Sequence, residues 1–144
     1  MSYRTMTRTA PGWEERTVAL LPSVARDGSG VSEAVALRPG FARLALLLDG
    51  AAAGGSLRVW VQHSANGECW QDLAAFDAVT TADAQIAWVE AQPSLAGCVH
   101  AQQDGALAEG TVHEGFVMSR LRVRWTCGTA HVFCVDVVAI YPRS

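Results

Sequence analysis

Residues Arg120-Leu121-Arg122-Val123-Arg124-Trp125 alternate charge and hydrophobe without a break. A β-strand is the regular backbone that sorts such a run into one apolar and one polar face. Leu57-Arg58-Val59-Trp60-Val61-Gln62-His63 repeats the pattern, with Leu57, Val59 and Val61 on one side. Residues 17–21, 31–37, 42–49, 70–76, 85–90 and 131–141 are further β-like segments rich in Val, Leu, Ile and aromatic residues. Turn-formers bound them: Asp27-Gly28-Ser29-Gly30, Pro39-Gly40, Gly54-Gly55-Ser56, Asn66-Gly67 and Gly128-Thr129. With no capped helical run, the pattern predicts an all-β antiparallel sandwich, jelly-roll-like, of about eight strands.

Asn66-Gly67 predicts a hairpin joining 57–63 to 70–76, because both residues tolerate the positive φ that suits sheet twist. The same logic predicts that 120–125 and 132–140 form a closing hairpin. Residues 131–141 are apolar on both sides apart from Asp136, which predicts a central strand covered on both faces. Residues 1–16 read as an extended arm with apolar anchors at Tyr3, Met6 and Trp13, preceding a single domain over 17–144. Within that domain Pro93, Gly97, Gly105, Gly110 and Gly115 break the strand pattern, predicting a long loop or short helical excursion over 91–115.

A chain of 144 residues, half of them hydrophobic and 17% charged, buries a real core without metal or disulfide. Its net charge of −3 lacks the concentrated positive field that nucleic-acid binding needs. No apolar run is long enough for a membrane helix, and residues 1–16 lack the apolar core of a secretory signal. The reading that follows is synthesis in a cytosol, where the four cysteines stay reduced.

Four Cys (69, 98, 127, 134) and four His (63, 100, 113, 131) raise the question of zinc, but the paired Cys-x-x-Cys spacing is missing. Buried thiols acting as small hydrophobes are the expectation, and no metal or cofactor is expected. A Cys127 to Cys134 bridge would be conceivable across a closing hairpin. There is no Gly-x-Ser-x-Gly elbow, phosphate loop or His-Glu-x-x-His, so no enzyme is expected. Catalysis would require a hollow gathering His63, Asp72 or His113.

Binding residues are easier to nominate. Arg120, Arg122 and Arg124 recur about every 6.6 Å along one strand face and should each meet a carboxylate, in this chain or a partner. Of five tryptophans, Trp70, Trp88 and Trp125 are expected in the core, whereas Trp60 is expected exposed or beneath a loop. Tyr3, Arg4, Met6 and Trp13 give the arm aromatic and cationic anchors for a neighbouring surface. The candidate interface is therefore Tyr3, Arg4, Met6, Trp13, Trp60, Arg120, Arg122 and Arg124.

Three stretches together resemble a family of small β-sandwich structural proteins of tailed-phage virions. The first runs from Thr17-Val18-Ala19-Leu20-Leu21 through Arg38-Pro39-Gly40-Phe41-Ala42-Arg43 to Leu48-Asp49. The second is Val59-Trp60-Val61-Gln62-His63-Ser64-Ala65-Asn66-Gly67-Glu68-Cys69-Trp70-Gln71-Asp72-Leu73-Ala74-Ala75-Phe76, similar to a "V-x-T-S-x-D-G-x-x-W-x-D-x-A-x-F" hairpin. The third is Leu121-Arg122-Val123-Arg124-Trp125-Thr126 with Phe133-Cys134-Val135-Asp136-Val137. His63 stands where Thr is usual, and 91–115 is longer than the usual connection. The resemblance implies a cement or decoration protein on the outer surface of the virion capsid, with the major capsid protein as partner. A homodimer is expected on general grounds. A carbohydrate-binding module of a tail or surface fibre, and a tail, neck or head-completion component, are the alternatives.

Overall fold

The computed structural model describes residues 17–38, 41–53, 55–91, 101–113, 115–128 and 132–141. Tyr3, Arg4, Met6 and Trp13 lie outside the described residues, as do Cys98, His100 and His131. The described residues hold no helix, and therefore none that could cross a membrane. They form eleven strand segments: β1 (Thr17–Leu21), β2 (Ala25–Asp27), β3 (Gly30–Val31), β4 (Val35–Ala36), β5 (Arg43–Ala53), β6 (Leu57–Ser64), β7 (Gln71–Ala75), β8 (Ala82–Glu90), β9 (Thr111–Val112), β10 (Arg120–Cys127) and β11 (Val132–Ile140).

These segments build two antiparallel sheets, one ordered β1-β11-β5-β8 with β2 also on β11, the other β3-β10-β6-β7-β9 with β4 also on β10. The eleven reduce to about eight principal strands. β1 and β2 are two pieces of one edge that breaks at Pro22, a residue with no N–H to give a ladder. β3 and β4 are likewise one edge along β10, interrupted where Ser32 Oγ accepts the Val123 N–H at 2.8 Å. Counted so, with the two-residue β9 set aside, the chain-order positions run 1-8-3-6 in one sheet and 2-7-4-5 in the other, the wrapped order of a jelly roll.

The core lies between the sheets. Leu44, Leu46, Leu48, Phe133, Val135, Val137 and Ala139 face Leu57, Val59, Val61, Leu121, Val123 and Trp125, the inward sets that alternation marks. Bulges adjust the alternation in two places. The β1–β11 register shifts between Ala19 and Leu21, so consecutive Leu20 and Leu21 are both buried. The β6–β7 register shifts between Val61 and Gln62, so Leu73 and Ala74 are both buried. The β6–β7 hairpin forms as expected: Gly67 has φ +77°, and Asn66 Oδ1 accepts the Glu68 and Cys69 N–H groups at 2.9 Å.

The closing hairpin does not exist. β10 pairs with β6, β3 and β4, whereas β11 pairs with β1, β2 and β5 in the opposite sheet. Both strands carry a full inward apolar set, and facing each other across the sandwich buries both sets, with Trp125 and Phe133 edge to face at 6.2 Å. Cys127 and Cys134 are both free. β11 is central in its sheet, but Cys134, Asp136 and Ile140 on its outer side are only half buried. β5 runs to Ala53 rather than ending near Asp49, because Gly50 continues the ladder where a Cβ would come within 2.7 Å of Val135 Cγ1.

Candidate functional site

The bulge beside Leu73 turns Asp72 to the outer face of its sheet, opposite Gln62, rather than into the core with Ala74. There its carboxylate accepts the Gln62 Nε2–H at 2.9 Å and three backbone N–H groups, from Gly105 at 2.8 Å, Ala106 at 2.8 Å and Leu107 at 2.9 Å. The Asp72 N–H in turn donates to the Gln103 carbonyl at 2.7 Å. Residues 101–113 are thus held as a strap across β6 and β7, reinforced where Gln102 Nε2 donates to the Trp70 carbonyl at 2.8 Å and the Gly110 N–H to the Ala75 carbonyl at 2.9 Å. Gly105, at φ +79°, sits where a Cβ would come within 2.7 Å of Arg124 Nε.

The strap absorbs most of the charged stripe. Arg122 Nε donates to Gln62 Oε1 at 2.7 Å, its guanidinium lies 4.3 Å from the Trp70 ring centroid, and it shares Asp104 with Arg124 at 3.6 and 3.4 Å. Burial pushes the Arg122 guanidinium below its ordinary pKa, Asp104 opposes that shift, and Arg124 adds to it. An arginine so placed stays charged across the working pH range. Among the described residues Arg120 meets no carboxylate and donates instead to the Ala65 carbonyl at 3.2 Å. Trp60 lies beneath the strap, 4% exposed, with Nε1 donating to the Leu107 carbonyl at 3.0 Å and Arg58 stacked on its ring. Trp60 and Arg122 are therefore committed within the chain, and Arg120 and Arg124 keep more open surface.

The residues nominated for catalysis do not converge. His63 and Asp72 point to opposite sides of their sheet, and His63 Nδ1 accepts the Met118 N–H at 3.0 Å. Every oxygen of the Asp72 carboxylate is occupied, which suits a structural anchor better than a proton carrier. Among the described residues no group of three or more His, Cys, Asp or Glu could hold a metal.

The open surface lies on the other sheet. The outer faces of β5, β8 and β11 form an apolar groove of about 340 Å³ lined by Ala45, Leu47, Ile86, Trp88, Ile140 and Tyr141. Trp88, expected in the core, is 58% exposed. Alternation explains the correction: Ala87 and Val89 take the inward positions of β8, leaving Ile86 and Trp88 outward. Tyr141 closes one end, accepting the Arg38 N–H at 2.9 Å with Phe41 edge to face at 5.7 Å. At the rim Arg43 and Glu90 pair at 2.6 Å, both largely exposed, a contact that contributes little to stability. Beyond Trp88 a second hollow, of about 510 Å³, opens between β8 and the β7–β9 side, lined by Phe76, Asp77, Gln85 and Thr111.

Sequence reasoning missed Trp88 and Ile86 as surface residues. Alternation in Gln85-Ile86-Ala87-Trp88-Val89 sets the bulky Ile86 and Trp88 against Gln85, Ala87 and Val89, and bulk alone pointed the wrong set to the core. In comparisons with known proteins the chain matches no family model, no curated protein and no solved structure.

Proposed function

We propose that the protein is a non-enzymatic structural protein of a tailed-phage virion, a cement or decoration protein that binds the outer surface of the major capsid protein shell. The observation that carries this reading is where the three resembling stretches fall in the fold. They are separate in sequence, yet they supply β1-β11-β5 as neighbours in one sheet and β10-β6-β7 as neighbours in the other. The residues that match the hairpin pattern do structural work: Gly67 shapes the turn with Asn66, which stands where the pattern has Asp, Trp70 stacks on Arg122, and Asp72 anchors the strap.

The physical demands of such a role agree with the architecture. A shell-binding protein adds to a preformed lattice as many weakly bound copies, so it needs an independent rigid fold and contacts that act together. The strap rigidifies one sheet, and the aromatic groove leaves the other able to bind. Residues 1–16, with Tyr3, Arg4, Met6 and Trp13, precede Thr17 in the sequence, and Thr17 pairs with Ile140 at the end of that groove. Deletion of 1–16 is expected to leave the far-ultraviolet circular dichroism unchanged and to abolish co-sedimentation with purified capsids. Undiminished co-sedimentation would remove the arm from the mechanism. Electron cryomicroscopy of source particles decides position: symmetric copies on the shell support cement, and density confined to neck, tail or vertex moves the protein to the completion class.

The exposed Trp88 favours one second reading, a carbohydrate-binding module. Its ring stands beside a hollow that offers Asp77, Gln85 and Thr111 as polar groups, a combination suited to stacking on a sugar face. On this reading added oligosaccharide quenches tryptophan fluorescence and Trp88→Ala removes the response. A flat titration across a glycan panel eliminates it.

A further inference from the structure

β8 ends its sheet, and its free edge is unusual for a protein that stays alone. It pairs with β5 over all nine residues without a bulge, and it contains neither proline nor lysine. Among the described residues no backbone group bonds to the edge of β8 that faces away from β5. Monomeric proteins blunt such edges with bulges, prolines, charged side chains or a covering segment; of these β8 has only Asp83, on the inward side opposite Gly50, and Glu90 at its last residue. Here the edge is instead flanked by Ile86 and Trp88, 51% and 58% exposed on the outer face.

We infer that β8 pairs antiparallel with β8 of a second copy, about a two-fold axis through Ile86, joining two four-stranded sheets into one continuous sheet. Full overlap of the nine residues puts Ile86 opposite its own symmetry mate, and the register is self-complementary. Trp88 falls opposite Ala84, a large ring over a methyl group, so the outer face gains a continuous apolar row of Ala84, Ile86 and Trp88 from both copies. Glu90 falls opposite Ala82 and Asp83 opposite Val89, so the two acidic residues of the strand meet apolar partners and no like charges oppose. The hollow between β8 and the β7–β9 side leaves the edge room to be approached. Two-fold strand addition also satisfies the idle backbone groups of both copies at once. This inference does not depend on the capsid reading.

The test is sedimentation equilibrium of the full chain over a wide concentration range, together with directed cross-linking. The wild type is expected at twice the 15.3 kDa chain mass. Ile86→Lys sets two ammonium groups face to face on the axis and is expected to weaken association about a hundredfold. On air oxidation Ile86→Cys is expected to form a covalent dimer well above the wild-type background from native thiols, and Asp83→Cys is not, since it faces Val89. A wild type that stays monomeric throughout overturns the inference. So does a dimer indifferent to Ile86→Lys, or one that cross-links as readily from position 83 as from 86.

Discussion

Asp72→Ala is expected to destabilise the protein by about 3–5 kcal/mol and to release the strap. The carboxylate is fully buried and accepts four hydrogen bonds, three of them from consecutive backbone N–H groups. A buried donor stripped of its partner costs about 1–3 kcal/mol, and loss of a buried charged partner lies in the upper range of single-residue effects. Asp72→Asn keeps one acceptor oxygen but turns an amide donor toward other donors, so a loss of about 1–3 kcal/mol is expected. Urea denaturation measures both. Amide hydrogen exchange adds the local readout: the N–H groups of Gly105, Ala106 and Leu107 should lose protection in Asp72→Ala by more than the global stability change explains. Equal loss across the whole sandwich would mean that the strap is held chiefly by its other contacts.

Phe133→Ala is expected to cost about 3–5 kcal/mol, and Phe133→Leu about 1 kcal/mol. Phe133 is among the largest fully buried side chains, and it meets Trp125 edge to face from the opposite sheet. Its removal opens a cavity between the sheets where the backbone ladders on either side resist collapse. The midpoint in urea should fall while the slope stays constant, because the surface exposed on unfolding hardly changes. A cost near 1 kcal/mol for the alanine variant would mean that the sheets close over the gap, and that their spacing is less fixed than the Trp125 contact implies.

The two variants separate what makes this molecule from what it could bind. Asp72 and Phe133 are both remote from the apolar groove, so neither substitution should alter surface binding except through stability. Trp88 and Ile86 are the reverse, since both are more than half exposed and sit on an edge strand. Substitution there should act on association, and change the urea midpoint only at protein concentrations where the wild type associates.

The sequence by itself determined most of the strands and, for β6 and β10, the side they bury. Leu121, Val123 and Trp125, or Leu57, Val59 and Val61, can bury together only on an extended backbone, and Asn66-Gly67 permits a tight antiparallel return; all of this is local stereochemistry. The structure alone decided where those strands went. A turn after Cys127 serves equally for a hairpin within one sheet or a crossing between two, and the crossing wins because it sets Trp125 against Phe133 in a shared core. The single extra residue at Leu73 turns Asp72 outward, and with it the strap, the burial of Trp60 and the engagement of Arg122. Trp88 came to the surface because the register of β8 on β5 sets Ala87 and Val89 beside the buried Leu46 and Leu44, and alternation then turns Trp88 outward. Each of these outcomes is decided by contacts tens of residues distant in the chain, which local stereochemistry does not specify.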